Sequence, residues 1–151
     1  MTAEQALERI KDVAGDVSLG QRIFAKATCG NCHTVQQNET QKGPYLGNIA
    51  KTYKRPELAT AILEPSRTIA QGFITNIILT EDDETVTGFV ISETAEEVTI
   101  RDQQGKDHVV KKSEIATRKT STISSMPNGM MNDFTLKEMA SLLDYLESLS
   151  K

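Results

Sequence analysis

Helical spacing of apolar residues predicts two helices near the N-terminus. The first covers residues 3–14. Its apolar face consists of Ala6, Ile10 and Val13. The second begins at Ser18, which we expect to be its N-cap, because Gln21 lies three residues later and completes a capping box. This second helix leads toward the two cysteines of the chain.

Two further helices are predicted in the rest of the chain. The segment RPELATAILEP predicts a short helix that ends before Pro65. The last helix begins near Thr135, which forms a capping box with Glu138. Its continuous apolar stripe indicates a helix that packs on a core. The stripe consists of Leu136, Met139, Leu142, Leu143, Leu146 and Leu149.

A close contact between the second helix and the last one is expected at Gly20 and Phe24. A glycine lets two helices approach closely, because it has no side chain between the backbones. We expect Phe24 to pack near Leu142 and Tyr145.

The pattern changes from helical spacing to alternation at Phe73. Four stretches rich in β-branched residues follow, FITNIILT, TVTGFVIS, EVTIRD and DHVVKK, separated by the turn-like EDDE, ETAE and QQGK. They predict four short strands in successive antiparallel hairpins over about residues 73–115. The first stretch has apolar residues on both faces, so we expect burial on both sides, through a homodimer. Those residues are Phe73, Ile77 and Leu79 on one face and Ile74 and Ile78 on the other.

Length and composition restrict the classes of protein to consider. The 151 residues suit one domain, residues 1–151, in which residues 1–16 form an N-terminal helical extension and residues 73–115 an insertion. The net charge is −4 with no basic block, which argues against nucleic acid as a partner. No apolar run reaches membrane-spanning length. No export signal is visible, so we expect a soluble mature form or a domain of a longer protein.

The stretch TCGNCHTV holds both cysteines and one of the two histidines. A redox dithiol would need a βαβ context, and a disulfide between Cys29 and Cys32 would close a very small loop. A zinc site would need four ligands, and only the distant His108 could join these residues and His33. We interpret His108 as a polar strand residue. The pattern C-x-x-C-H is typical of covalent haem attachment, and it favours haem over these alternatives.

The spacing explains why this pattern suits haem. Cys29 and Cys32 face the same way on one helical turn, so their sulfurs can bond the two vinyl groups of a porphyrin. His33 would then lie beneath the iron. A thioether sulfur on the opposite side would raise the reduction potential. Three methionines lie in one polar loop before the last helix: Met126, Met130 and Met131.

The chain resembles class I c-type cytochromes. The matching stretches, in the expected order, are GQRIFAKATCGNCH, KGPYLG, SSMPNG and TLKEMASLLDYLESL. The phrases AILEPSRTIAQGF and SSMPNGM more narrowly resemble the haem-binding domain at the C-terminus of planctomycete-type dehydrogenase-like proteins. The resemblance implies a mainly α class I cytochrome c fold, here with an inserted antiparallel β-hairpin region over about residues 73–115.

The resemblance also implies roles for individual residues. The cofactor would be one covalent haem c, with His33 and Met126 as axial ligands. The carbonyl of Pro44 would accept the Nδ1 proton of His33. Apart from the resemblance, we expect Tyr45, Leu46 and Ile62 to line the haem pocket. We expect Tyr53 and Arg55 to reach a propionate, because the arginine side chain matches a carboxylate geometrically.

We therefore expect a mono-haem cytochrome that carries single electrons between redox protein partners and is not itself an enzyme. It would work in the periplasm or elsewhere outside the cytoplasm. The β-hairpins would pack beside the haem and shape its exposed edge or a docking surface. The alternatives are a haem sensor or ligand-binding protein with a displaceable distal ligand, and a haem-free CxxC protein.

Overall fold

The computed structural model describes residues 3–151 and combines a helical part with a β-sheet. The helices of that part of the chain are α1 (Ala3–Ile10), α2 (Val17–Lys26), α3 (Ile49–Thr52), α4 (Arg55–Leu63) and α5 (Leu136–Ser148). The strands are β1 (Asn76–Thr80), β2 (Thr85–Glu93), β3 (Glu97–Arg101), β4 (Asp107–Lys111) and β5 (Ile115–Thr120). Helices, counted together with two short 3₁₀ turns, hold 34% and strands 20% of the described residues, so the expectation of a mainly α fold is wrong. None of the described helices has the length and hydrophobicity needed to cross a bilayer.

The first two helices differ from the prediction at their ends. Helix α1 stops at Ile10 because the next residues turn more tightly, with the N–H of Val13 donating to the carbonyl of Ile10 at 3.3 Å. The N-cap of α2 is Asp16 and not Ser18. The Asp16 carboxylate accepts the N–H of Leu19 at 2.7 Å, which satisfies a backbone donor of the first turn.

Helices α2 and α5 form the main contact of the helical part. A Cβ atom at Gly20 would lie 1.9 Å from the carbonyl oxygen of Ser141, so only glycine permits this approach. Phe24 meets Tyr145 edge-on, with ring centroids 5.6 Å apart. The predicted roles of Gly20 and Phe24 are therefore confirmed.

Helix α5 is the centre of the helical core. The predicted capping box is present: the Thr135 hydroxyl accepts the N–H of Glu138, and the Glu138 carboxylate accepts the N–H of Thr135, both at 3.1 Å. Met139, Leu142, Leu143 and Leu146 are buried, as the stripe predicts. Buried residues from α1, α2 and α4 complete this core: Ile10, Ile23, Leu58 and Ala59.

The sheet has five antiparallel strands where four were predicted, in the order β4-β3-β2-β1-β5, which is consistent with an inserted β region. Strand β5, with the sequence IATRKT, lies almost entirely beyond the predicted hairpin region of residues 73–115, in a stretch that reads as the loop before the last helix. It has no apolar alternation because it is an edge strand whose residues are mostly exposed and which is held by pairing with β1. The other four strands lie where the alternation predicts them.

The sheet curls around its own apolar core. Ile78, Val98, Ile100 and Val110, from β1, β3 and β4, form one buried cluster. Strand β2 pairs with β1 along its first half and with β3 along its second, with an irregularity between Val90 and Ser92.

A charged pair shows how strongly β2 bends. Arg118 of β5 lies beside Ile78 of β1, which itself pairs with Val86 of β2. Arg118 nevertheless holds both carboxylate oxygens of Glu93, at 2.8 and 3.1 Å. Seven residues of straight strand would separate Val86 from Glu93 by about 23 Å, so β2 must bend back for this contact to form.

Only one face of β1 is buried in this structure. Ile78 is fully buried, and Asn76 and Thr80 beside it on the inner face are nearly so. Ile77, on the opposite face, is 39% exposed, so the expected burial on both sides is wrong for the single chain. The structure gives no support to a homodimer through this sheet.

We expect Gly20→Ala to lower the free energy of unfolding by about 1–3 kcal/mol, because the added methyl would force α2 away from α5. Gly30→Ala is the control, because its Cβ would lie 3.6 Å from Phe24, an ordinary contact. Chemical denaturation of both variants measures the difference. Equal losses would contradict the steric role of Gly20.

Acid should weaken the curled sheet through Glu93. Hydrogen bonds from Arg118 and Lys112 lower the pKa of Glu93 to about 2, below its ordinary value of 4.5. The stabilisation is therefore present above pH 4.5 and is lost as the pH falls from 4.5 through about 2. Glu93→Gln should flatten this part of the profile of melting temperature against pH. Glu97→Gln is the control, because the Glu97 carboxylate forms no ion pair within residues 3–151, and this variant should leave the profile unchanged.

Candidate haem-binding site

A sharp turn after α2 presents the cysteines. Thr28 has a left-handed backbone (φ 59°), which is rare for a β-branched residue, and its N–H donates to the carbonyl of Ala25 at 3.1 Å. The chain then enters a 3₁₀ turn over Cys29–Asn31. The position of Cys29 is therefore determined by where α2 ends.

The motif closes on itself in one turn. The N–H groups of Cys32 and His33 both donate to the carbonyl of Cys29, at 3.2 and 2.9 Å. Both cysteines are free thiols, with Cys29 half-buried and Cys32 exposed. Burial raises the pKa of the Cys29 thiol above its ordinary value. Two thiols and an imidazole thus share one turn, with the sulfurs reachable from outside.

The imidazole of His33 is oriented by the loop that follows. Its Nδ1 lies 2.7 Å from the carbonyl oxygen of Pro44, so Nδ1 is the protonated nitrogen and Nε2 carries the lone pair. Burial lowers the pKa of His33 below 6.5, although the hydrogen bond to Pro44 acts in the opposite direction. The ring is therefore neutral at neutral pH, which is the form that binds a metal.

The loop that carries Pro44 is packed tightly against the motif. A Cβ at Gly43 would lie 3.0 Å from the carbonyl oxygen of Cys32, which is closer than most side chains permit. The N–H of Leu46 donates to the carbonyl of Thr34 at 2.9 Å. These contacts hold the loop on both sides of the Pro44 carbonyl.

These residues fit a covalently bound haem. One turn supplies the two thiols, and the His33 ring offers Nε2, which accepts no hydrogen bond from the described residues. The Thr34 hydroxyl is buried and has no hydrogen-bond partner within residues 3–151, so a polar group from a cofactor or water would satisfy it. The zinc alternative gains no support. Cys29, Cys32 and His33 share a turn, but within residues 3–151 no three His, Cys, Asp or Glu side chains are placed so that they could hold a metal ion together.

The three methionines occupy different environments. Met131 is 8% exposed and belongs to the helical core, so its side chain already has a packing role. Met126 and Met130 are half-buried in the loop before α5. The N–H of Met126 donates to the Ser124 hydroxyl at 3.1 Å, and the N–H of Ser124 donates to the Ser66 hydroxyl at 2.9 Å. This chain of bonds ties the Met126 backbone to the segment after α4.

The three residues predicted to line the pocket, Tyr45, Leu46 and Ile62, are half-buried, and so is Tyr53, which is predicted to reach a propionate. Leu46, Tyr53 and Ile62 pack against the helical core. Tyr45 folds over Gly47, where a Cβ would lie 1.9 Å from the Tyr45 hydroxyl. Their roles toward a cofactor stay predictions.

Arg55 and His108 have partners within the protein. Arg55 forms an ion pair with Asp144 at 2.6 Å, a second one with Glu147, and a hydrogen bond to a backbone carbonyl of α5. It therefore links α4 to α5, and its proposed contact with a propionate stays a prediction. His108 lies in β4, and its Nε2 is 2.8 Å from the carboxylate of Asp102.

Three polar residues at the site were missed by the sequence analysis: Thr34, Ser66 and Ser124. Serine and threonine in polar segments carry no periodic signal. Their positions become meaningful only when the tertiary structure brings residues 66 and 124 together.

Comparison with known families gives one match. The family model described as Cytochrome c matches residues 17–88, just under half of the chain. The matched range includes Cys29, Cys32, His33 and Pro44, and it ends within β2, before the methionine loop. The search of curated proteins finds no match. The family match and the motif together support a c-type cytochrome of class I, and its cofactor is one covalently bound haem c.

Proposed function

We propose that this chain is a mono-haem cytochrome that carries single electrons between redox proteins, with His33 and Met126 as the axial ligands. Bound haem would supply one-electron chemistry by cycling between ferric and ferrous iron. The observation that carries the proposal is the hydrogen bond from His33 Nδ1 to the Pro44 carbonyl, on a turn that also presents Cys29 and Cys32.

The surroundings of His33 suit a metal ligand. The Pro44 carbonyl selects the tautomer, and burial favours the neutral ring. The lone pair on Nε2 is therefore the one that would bind the iron. A ligand held in this way changes little between oxidation states, which keeps the reorganisation cost of electron transfer low.

Met126 is the best-supported distal ligand of the three methionines. Met131 is buried in the core, whereas Met126 is half-buried in a loop that two serine hydroxyls hold. Pro127 follows it and restricts the backbone. A thioether ligand would raise the reduction potential relative to a nitrogen ligand, as suits an electron carrier.

The proposal also includes a cellular location and a class of related protein. Cytochrome c domains are typically extracytoplasmic, so we propose a periplasmic or similar location. The phrases around Ser66 and Met126 support a haem-binding domain like those of planctomycete-type dehydrogenase-like proteins. The Cytochrome c family is generally one of electron-transfer proteins, so we assign the chain no catalytic residue of its own.

Removal of both thiols should abolish covalent attachment. After expression with a cytochrome c maturation system, the double variant Cys29→Ser/Cys32→Ser should release any haem into acidified organic solvent. Cys32→Ser alone should retain part of it through the Cys29 sulfur. A denaturing gel stained for haem measures retention. A colourless wild-type protein would contradict the proposed function.

Met126→Ala should open one side of the iron. The ferric absorption band in the red that marks methionine ligation should disappear, the reduced protein should bind carbon monoxide stoichiometrically, and the potential should fall. Met130→Ala is the matched control and should leave the spectrum unchanged. If wild type itself binds carbon monoxide readily, a sensor or ligand-binding role replaces electron transfer.

A further inference from the structure

The inserted sheet touches the loop that orients His33. The inference below rests on the proposed function, because it concerns how the sheet acts on a haem ligand. Contact occurs where the β3–β4 hairpin meets Gln41 and Lys42, just before Pro44. These contacts cross from the insertion to the helical part of the chain.

Arg101, the last residue of β3, makes the polar part of this contact. Its Nη1 donates to the backbone carbonyl of Gln41 at 3.1 Å. Its Nε and Nη2 donate to the two carboxylate oxygens of Asp107, at 2.7 and 3.2 Å. Such a bidentate pair fixes the plane of the guanidinium, so the remaining N–H group has a defined direction. That direction is toward the loop.

The backbone around Arg101 is also held closely. A Cβ at Gly88 of β2 would lie 2.0 Å from the carbonyl oxygen of Arg101, so the glycine allows β2 to pack directly on this residue. In the hairpin turn, Gly105 has a left-handed backbone (φ +84°) and lies against the aliphatic stem of Lys42. The hairpin therefore forms a rigid support for residues 41 and 42.

The loop connects the hairpin to His33 through two further contacts. Gly43 packs on the carbonyl of Cys32, and the next residue, Pro44, accepts the Nδ1 proton of His33. Within this loop only two residues separate the carbonyl that Arg101 binds from the carbonyl that His33 binds. A shift at Gln41 would therefore alter the distance or angle of the His33–Pro44 hydrogen bond.

We propose that Arg101 is a positioning residue for the proximal ligand, and that the inserted sheet acts through it to set the haem reduction potential. A hydrogen bond to Nδ1 makes the imidazole a stronger donor, which favours the oxidised state. A loosened loop would weaken that bond, favour the reduced state and raise the potential.

The test compares two arginine-to-lysine changes in the holoprotein. Arg101→Lys keeps the charge but cannot bind Asp107 with both oxygens and Gln41 at once. Arg118→Lys is the matched control, because Arg118 also holds a carboxylate with two nitrogens in the same sheet and has no contact with the loop. Neither substitution removes a positive charge, so a change of net charge explains no difference between the two variants.

Arg101→Lys should raise the ratio of reduced to oxidised haem at a fixed ambient potential by about twofold to tenfold, the effect of one weakened hydrogen bond. A tenfold change corresponds to 59 mV for one electron. Exchange of the His33 Nδ1 proton, followed by NMR in the reduced protein, should be faster. Arg118→Lys should match wild type in both measurements.

A second pair of variants keeps the test decisive if Arg101→Lys does not fold. Asp107→Asn frees the guanidinium of Arg101 and should shift the potential and the exchange rate in the same direction. Glu93→Gln removes the same charge from the partner of Arg118 and is its control. If the Arg101 and Asp107 variants match their controls, the positioning role is overturned while the proposed function stands. If wild type holds no haem, the proposed function fails instead.

Discussion

The site depends on the close approach of α2 to α5. Gly20 lets the two backbones touch at Ser141, and the Phe24–Tyr145 contact fixes the rotation of α2 about its axis. Because α2 is held in this way, its end is held too, and the turn at Thr28 delivers Cys29 in a set position. The thiols and the imidazole are therefore positioned by the helical core, with the loop that contains Pro44 completing the orientation of His33.

Backbone groups supply most of the hydrogen bonds that hold the site in place. The carbonyls of Cys29 and Pro44 organise the turn and the imidazole, and serine hydroxyls bind the backbone of the methionine loop. Backbone groups hold their positions because whole segments are packed, so precise geometry requires rigid surroundings. The curled sheet is one such surrounding, because its apolar core and the close packing of Gly88 on the Arg101 carbonyl keep the β3–β4 hairpin in shape.

The sheet has one covered face and one open face, which explains both a success and an error of prediction. Strand β1 is visible in the sequence because it is rich in β-branched residues, and the structure buries Ile78 while it leaves Ile77 exposed. The apolar residues on its outer face suggested burial that the single chain does not provide. The fifth strand was missed for a related reason: β5 has almost no buried side chains, and backbone pairing with β1 alone defines it.

The sequence by itself determined the local chemistry. Its local patterns are the CGNCH motif, the capping box at Thr135, the apolar stripe of α5 and the β-branched stretches of the strands. Each of them depends on residues within one turn, one helix or one strand. The tertiary structure decided what depends on distant residues. It bound the N–H of Asp16 to the Ser141 hydroxyl, paired Arg55 with Asp144 and Glu147, put Met131 in the core, and brought Arg101 to Gln41. Long polar side chains can reach several partners, and only packing selects among them.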